Sequence, residues 1–141
     1  MTFHLWSEEL KHKIPRIGAN PLEPLETRMV HVHFFDPKSN WRWYVMEYDG
    51  NGTFFGLVLA GQSALTGRFT LGELEALCYE SPGLGKIGVE RDTYFRPVTV
   101  AELGRSEAAI GRLLDELGVK PARTESSSSP GDSATKMSLR E

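Results

Sequence analysis

Two acidic pairs at alternate positions, Glu47-x-Asp49 and Glu90-x-Asp92, have the residue types and spacing best suited to chemistry in this chain. In an extended segment alternate side chains share a side. Four carboxylates brought together could hold Mg²⁺ or Mn²⁺, which take oxygen ligands. That arrangement would serve a divalent-metal-dependent enzyme acting on phosphate esters or nucleic acid. Regular strand geometry would turn Arg91 away from Glu90 and Asp92. The structural alternative gives Asp49 to a hairpin turn and has Glu90 or Arg91 form ion pairs that fix the strands. The Glu90-Arg91-Asp92 triplet beside Tyr94 is the best candidate for a recognition surface.

His31-x-His33 places two imidazoles on one side of an extended segment, a spacing that can ligate zinc. A third ligand is needed, and only His4 and His12 remain as histidines. A solvated, non-core sheet face is the favoured reading. The rings of Trp41, Trp43, Tyr44, Tyr48, Phe54, Phe55, Tyr94 and Phe95 could stack bases of a single strand. Core packing is favoured for them, because a small domain needs its large aromatics inside. Cys78 shares an apolar face with Leu71 and Leu74, and no motif pairs it with a histidine. Glycines 83, 85 and 88 form no phosphate loop, since no Gly-Lys-Ser or Gly-Lys-Thr follows.

The elements that must position these groups lie in a chain of 141 residues, the length of one ordinary domain. Its apolar fraction of 40% suits a packed core, and its charged fraction of 25% is average. Net charge is −3, and removing residues from Lys120 onward leaves a body at −4. A mildly acidic body argues against bulk phosphate binding, so nucleic acid is not indicated by charge. One cysteine excludes an internal disulfide. Ser7-Glu8-Glu9 follows the first residues at once, so no secretory signal is expected. No apolar run approaches roughly 18 residues, so no membrane span is expected. Together these features predict a cytoplasmic protein.

Ser7 predicts a capped short helix through Lys13, stopped by Pro15. Residues 20–26 contain Pro21 and Pro24 and read as an extended connector. Alternation predicts a strand over 28–35 with Val30, Val32 and Phe34 on the core face. Turn residues 36–40 lead to a second strand at 41–48. Asp49-Gly50-Asn51-Gly52 is a hairpin signal before a third strand at 53–60. A short fourth strand follows near 65–69. Thr70-Leu71-Gly72-Glu73 and Thr99-Val100-Ala101-Glu102 are capping boxes, each opening a short helix. A strand is predicted over 87–95. Gly104 is expected to end the second helix and Ser106 to cap a third, with an Ile110, Leu113, Leu114, Leu117 stripe and Gly118 at its end. The predicted class is α+β: an antiparallel sheet of four to five strands packed with short helices. Residues 1–118 are expected to form a single domain. Residues 119–141, with the serine run 126–129, read as a disordered tail.

Four segments in order resemble the bacterial family catalogued as domain of unknown function 2958. They are Phe34-Phe35-Asp36-Pro37 into Ser39-Asn40-Trp41-Arg42-Trp43-Tyr44; Glu47-Tyr48-Asp49-Gly50 leading to Phe54-Phe55-Gly56-Leu57-Val58; Gly67-Arg68-Phe69-Thr70-Leu71-Gly72-Glu73-Leu74; and Gly88-Val89-Glu90-Arg91-Asp92-Thr93-Tyr94-Phe95-Arg96-Pro97. They span most of the stretch 28–103. At His31 and His33 the chain departs from the family, which tends toward a basic residue there. The resemblance implies a setting on plasmids and other mobile genetic elements. It implies an accessory role in conjugation, element maintenance or evasion of host defence, and it supplies no catalytic residue.

No complete catalytic set is visible, so an enzyme is not the expected reading, and no cofactor or metal ligand set is assigned. The leading expectation is a non-enzymatic protein-interaction module. It would present Glu47 and Asp49 on a hairpin, with Glu90, Arg91, Asp92 and Tyr94 beside them, to a protein partner. The metal-dependent enzyme and the single-strand nucleic-acid binder are the alternatives.

Overall fold

Alternating apolar residues separated by tight turns make residues 29–70 a run of hairpins. The computed structural model describes residues 5–118. Two 3₁₀ turns, Glu8–His12 and Leu25–Thr27, precede the sheet. The strands then follow as β1 Met29–Val30, β2 Val32–Phe35, β3 Trp41–Tyr48, β4 Thr53–Ala60 and β5 Ser63–Thr70. Helix α1 is Leu71–Ala76. A small hairpin pairs β6 Tyr79–Ser81 with β7 Gly85–Ile87. Then come β8 Glu90–Arg91, β9 Val98–Thr99, α2 Val100–Ser106 and α3 Ala108–Glu116. The main sheet has five antiparallel strands in the order β5-β4-β3-β2-β8, as the α+β reading expected. The tail expected over 119–141 lies outside the described residues. Among the described residues no helix is long and apolar enough to cross a membrane.

Both faces of the sheet are covered. Val32, Phe34, Trp43, Val45, Tyr48, Phe54 and Phe69 pack on one side with Leu5, Ile14 and Leu74. Val30, Tyr44, Met46, Leu57 and Leu59 pack on the other against Val100, Leu103, Ile110 and Leu114. This explains why β3 is buried without interruption over 43–48. Fully burying a side chain such as Phe34 or Phe54 contributes about 1.5–3 kcal/mol relative to exposure. A register shift between Val45 and Glu47 inserts Met46 as an extra residue opposite β4.

That bulge alters the strand predicted over 28–35. His31 lies outside both strands, and its N–H donates to the Val45 carbonyl beside the shift. β1 then leaves to pair with β9, so Val30 is buried on the opposite side from Val32 and Phe34. The strand predicted over 87–95 is also overturned. β7 belongs to its own hairpin, Gly88 at φ +138° interrupts the strand, and β8 holds only two residues. A Cβ at Gly88 would lie 2.6 Å from the Cys78 Cα, so packing as well as φ requires glycine.

Other boundaries moved for local reasons. Ser7 makes no side-chain cap, and the first helix is a 3₁₀ turn. Residues 20–26 are turned rather than extended, with Glu23 N–H bonded to Asn20 O. β5 is longer than predicted because Gly61-Gln62 closes a two-residue turn directly after β4. Both capping boxes form as predicted, Thr70 with Glu73 and Thr99 with Glu102. Gly104 does not end α2, and Ser106 does not cap α3. Gly104 instead faces Gly111, where a Cβ would lie 3.0 Å from the Gly104 carbonyl. The paired glycines let α2 and α3 approach closely. Ile110 and Leu114 are buried as predicted, whereas Leu117 is exposed.

Candidate functional site

The carboxylates of the first acidic pair are consumed by structure. Asp49 Oδ1 accepts the N–H groups of Asn51 at 2.7 Å and Thr53 at 3.0 Å, closing the hairpin turn. Those backbone bonds, Thr53 foremost, hold its carboxyl below the usual carboxylate range. Glu47 is only 5% exposed. Its Oε2 meets Arg28 Nη1 at 2.9 Å, and its Oε1 accepts the Gly18 N–H at 3.1 Å. Arg28 also donates to Asn20 O and Glu23 O, so the pair clasps the turned segment over the end of β3. The expectation that Glu47 is presented to a partner is therefore corrected: its side chain is withdrawn into this clasp.

The second pair lies at the other end of the sheet. Glu90 stands opposite Phe35, and Arg91 opposite Phe34. The four carboxylates do not converge. Among the described residues no three His, Cys, Asp or Glu come together as a metal site. The condition for the metal-dependent alternative is not met.

Asp92 shapes the segment after β8. Its backbone N–H donates to His33 O, and its Oδ1 accepts the Tyr94 N–H at 3.0 Å. This local turn lifts Tyr94 out, leaving it 91% exposed. Asp92 Oδ2 lies 3.5 Å from His33 Nδ1. A concavity of about 540 Å³ opens here, walled by His33, Phe35, Arg42, Glu90, Arg91 and Tyr94. Arg91 also lines a second cavity on the Phe34 side of the sheet. Neither Glu90 nor Arg91 forms an ion pair or side-chain hydrogen bond with a described residue, against the strand-fixing role weighed from the sequence. One guanidinium nitrogen of Arg91, Nη1, is buried without an acceptor among the described residues.

Beneath the concavity lies a polar network that sequence reasoning missed. Arg42 grips Glu107 with Nε and Nη2, at 2.9 and 3.0 Å. The Tyr44 hydroxyl donates to the same carboxylate at 2.6 Å. Burial first, and Glu107 next, push the Tyr44 phenol well above its ordinary value, so it stays a donor. His33 stacks on Tyr44 with centroids 4.4 Å apart and planes 8° from parallel. Glu107 comes from the α2–α3 junction, 65 residues from Arg42, so no spacing signal announced it.

The two histidines do not lie on the solvated, non-core sheet face expected from the sequence. His31 borders a different cavity from the one that His33 lines, and both are largely covered. Burial lowers both pKa values from the ordinary histidine value, and for His33 it outweighs Asp92. The folded state therefore binds fewer protons than the unfolded chain as pH falls through the ordinary value of about 6.5. Stability conferred by the neutral rings is present above that pH and is lost on acidification toward the folded values. The melting temperature should fall between about pH 7.5 and about pH 5. The His31→Gln/His33→Gln variant should show a flatter decline, and an identical slope in variant and wild type would refute the assignment.

Four of the eight aromatics, Trp43, Tyr44, Tyr48 and Phe54, are core as expected, and Phe55 and Phe95 pack against it partly buried. Trp41, 46% exposed, stacks on Trp43 beside Phe69 and Leu77, on the side of the sheet away from His33 and Tyr44. Trp41 and Tyr94 therefore do not share one stacking platform. Cys78 is half-buried, with Sγ 3.7 Å from the carbonyls of Leu74 and Val89. No family model, curated protein or solved structure matches the chain.

Proposed function

We propose that this protein is a non-enzymatic interaction module that presents residues 90–94 to a protein partner. The observation that carries this reading is Tyr94, 91% exposed and fixed by the Asp92 turn, next to an Arg91 without an ion pair among described residues. Tyr and Arg are the residues over-represented at binding hot spots. Holding such a tyrosine in one backbone geometry before contact lowers the ordering cost of association. The resemblance of residues 88–97 and the preceding segments to the mobile-element family supports a cytoplasmic accessory role in conjugation, maintenance or evasion of host defence.

A photo-crosslinking residue at position 94 tests the reading, with one at Leu22, 94% exposed and far along the chain, as the control. A discrete adduct is expected from position 94 and not from position 22. With the crosslinker kept at 94, Arg91→Ala should reduce its yield about tenfold or more, the equivalent of 1.4 kcal/mol. Adducts that were the same from both positions, or indifferent to Arg91→Ala, would remove the proposal.

A further inference from the structure

We infer that the cavity between the first 3₁₀ turn and β8 receives a carboxylate from the partner. This rests on the interaction reading above and adds the chemistry of the contact. The cavity, of about 330 Å³, is lined by Glu9, Leu10, Lys13, His31, Arg91 and Asp92, among others. Arg91 reaches it because its register with Phe34 turns the side chain to the side that Leu10 and Ile14 cover. Its Nη1 is buried and lacks an acceptor among the described residues. A guanidinium is always charged and offers a planar fork that matches a carboxylate. Lys13, on the same rim, also has no ion pair with a described residue.

Neither acid of the lining forms an ion pair with these cations. Asp92 spends Oδ1 on the Tyr94 N–H and turns Oδ2 toward His33. Glu9 is exposed on the 3₁₀ turn. Their presence favours a singly charged carboxylate over a doubly charged phosphate, which they would repel more strongly. Tyr94 stands beyond the same segment, so one peptide could place an acidic side chain or its C-terminal carboxylate against Arg91 and a neighbouring residue against the ring.

The test is an NMR titration of the full chain with sodium acetate, with acetylated tetraglutamate, and with inorganic phosphate. Saturable shifts are expected at the Arg91 Nε–H signal and at the amides of 9–14 and 91–93. Acetate should bind more tightly than phosphate. Arg91→Lys keeps the charge and loses the fork, and should weaken binding about tenfold. Arg91→Met should abolish it while the amide spectrum elsewhere stays that of the folded protein. No saturable shift with any probe, shifts that persist in Arg91→Met, or phosphate binding tightest would each overturn the carboxylate site. Crosslinking at position 94 separates the two readings. A discrete adduct without any acetate or tetraglutamate response overturns the carboxylate site alone. Arg91-dependent acetate binding without an adduct supports the site and overturns the interaction module.

Discussion

Gly56→Ala will leave little folded protein. Gly56 sits in the middle of β4, opposite Val45, where β3 shifts register. A Cβ there would collide with the Tyr44 carbonyl oxygen and would lie 2.9 Å from its carbon and 3.1 Å from the Val45 Cα. These are backbone atoms of the neighbouring strand, so no rotamer change relieves the overlap. The two central strands must part, and the cores on both faces open with them. The expected cost is about 4 kcal/mol or more, at the far end of the range for point substitutions. Gly67→Ala is the control, because its Cβ would meet only Leu65 Cδ1 at 3.7 Å. Denaturant midpoints and soluble yields check both. A Gly56→Ala protein that melts within a few degrees of wild type would show that the strands are spaced differently at the bulge.

Arg28→Met is expected to destabilise the fold by about 3 kcal/mol, lowering the melting temperature by on the order of 10 °C. The side chains of Arg28 and Glu47 are only 15% and 6% exposed, so solvent cannot replace the lost partner. Glu47 would keep the Gly18 N–H and a buried charge. The three bonds Arg28 makes to Asn20, Glu23 and Glu47 would go together. Hydrogen exchange at residues 18–23 should rise more than the global change explains. The double variant Arg28→Met/Glu47→Leu should recover much of the loss, since removing both charges also removes their desolvation. A double variant no more stable than Arg28→Met would mean that the clasp acts by packing rather than by charge.

This clasp also shows how far the candidate site was legible. Glu47 and Asp49 have the same alternate spacing as Glu90 and Asp92. Only contacts with Arg28 and Gly18, 19 and 29 residues away, separate a structural carboxylate from an available one. Arg91 and Tyr94 were identifiable by type and neighbourhood. Arg42, Tyr44 and Glu107 were not grouped, because their meeting depends on α3 packing across the sheet.

The sequence by itself determined whatever is decided within about one turn or hairpin. It set the ends of β3 and β4, the glycine-rich turn between them, both capping boxes and the antiparallel order of the central strands, because alternation, φ preference and capping act between near neighbours. Tertiary structure alone decided the break at His31, the continuation of α2 through Gly104, the division of 87–95, and which carboxylates remain unpaired. Each of these depends on contacts between elements, from Gly104 against Gly111 to His31 against Val45. Burial, steric fit and charge pairing are properties of assembled surfaces, and local spacing carries no record of them.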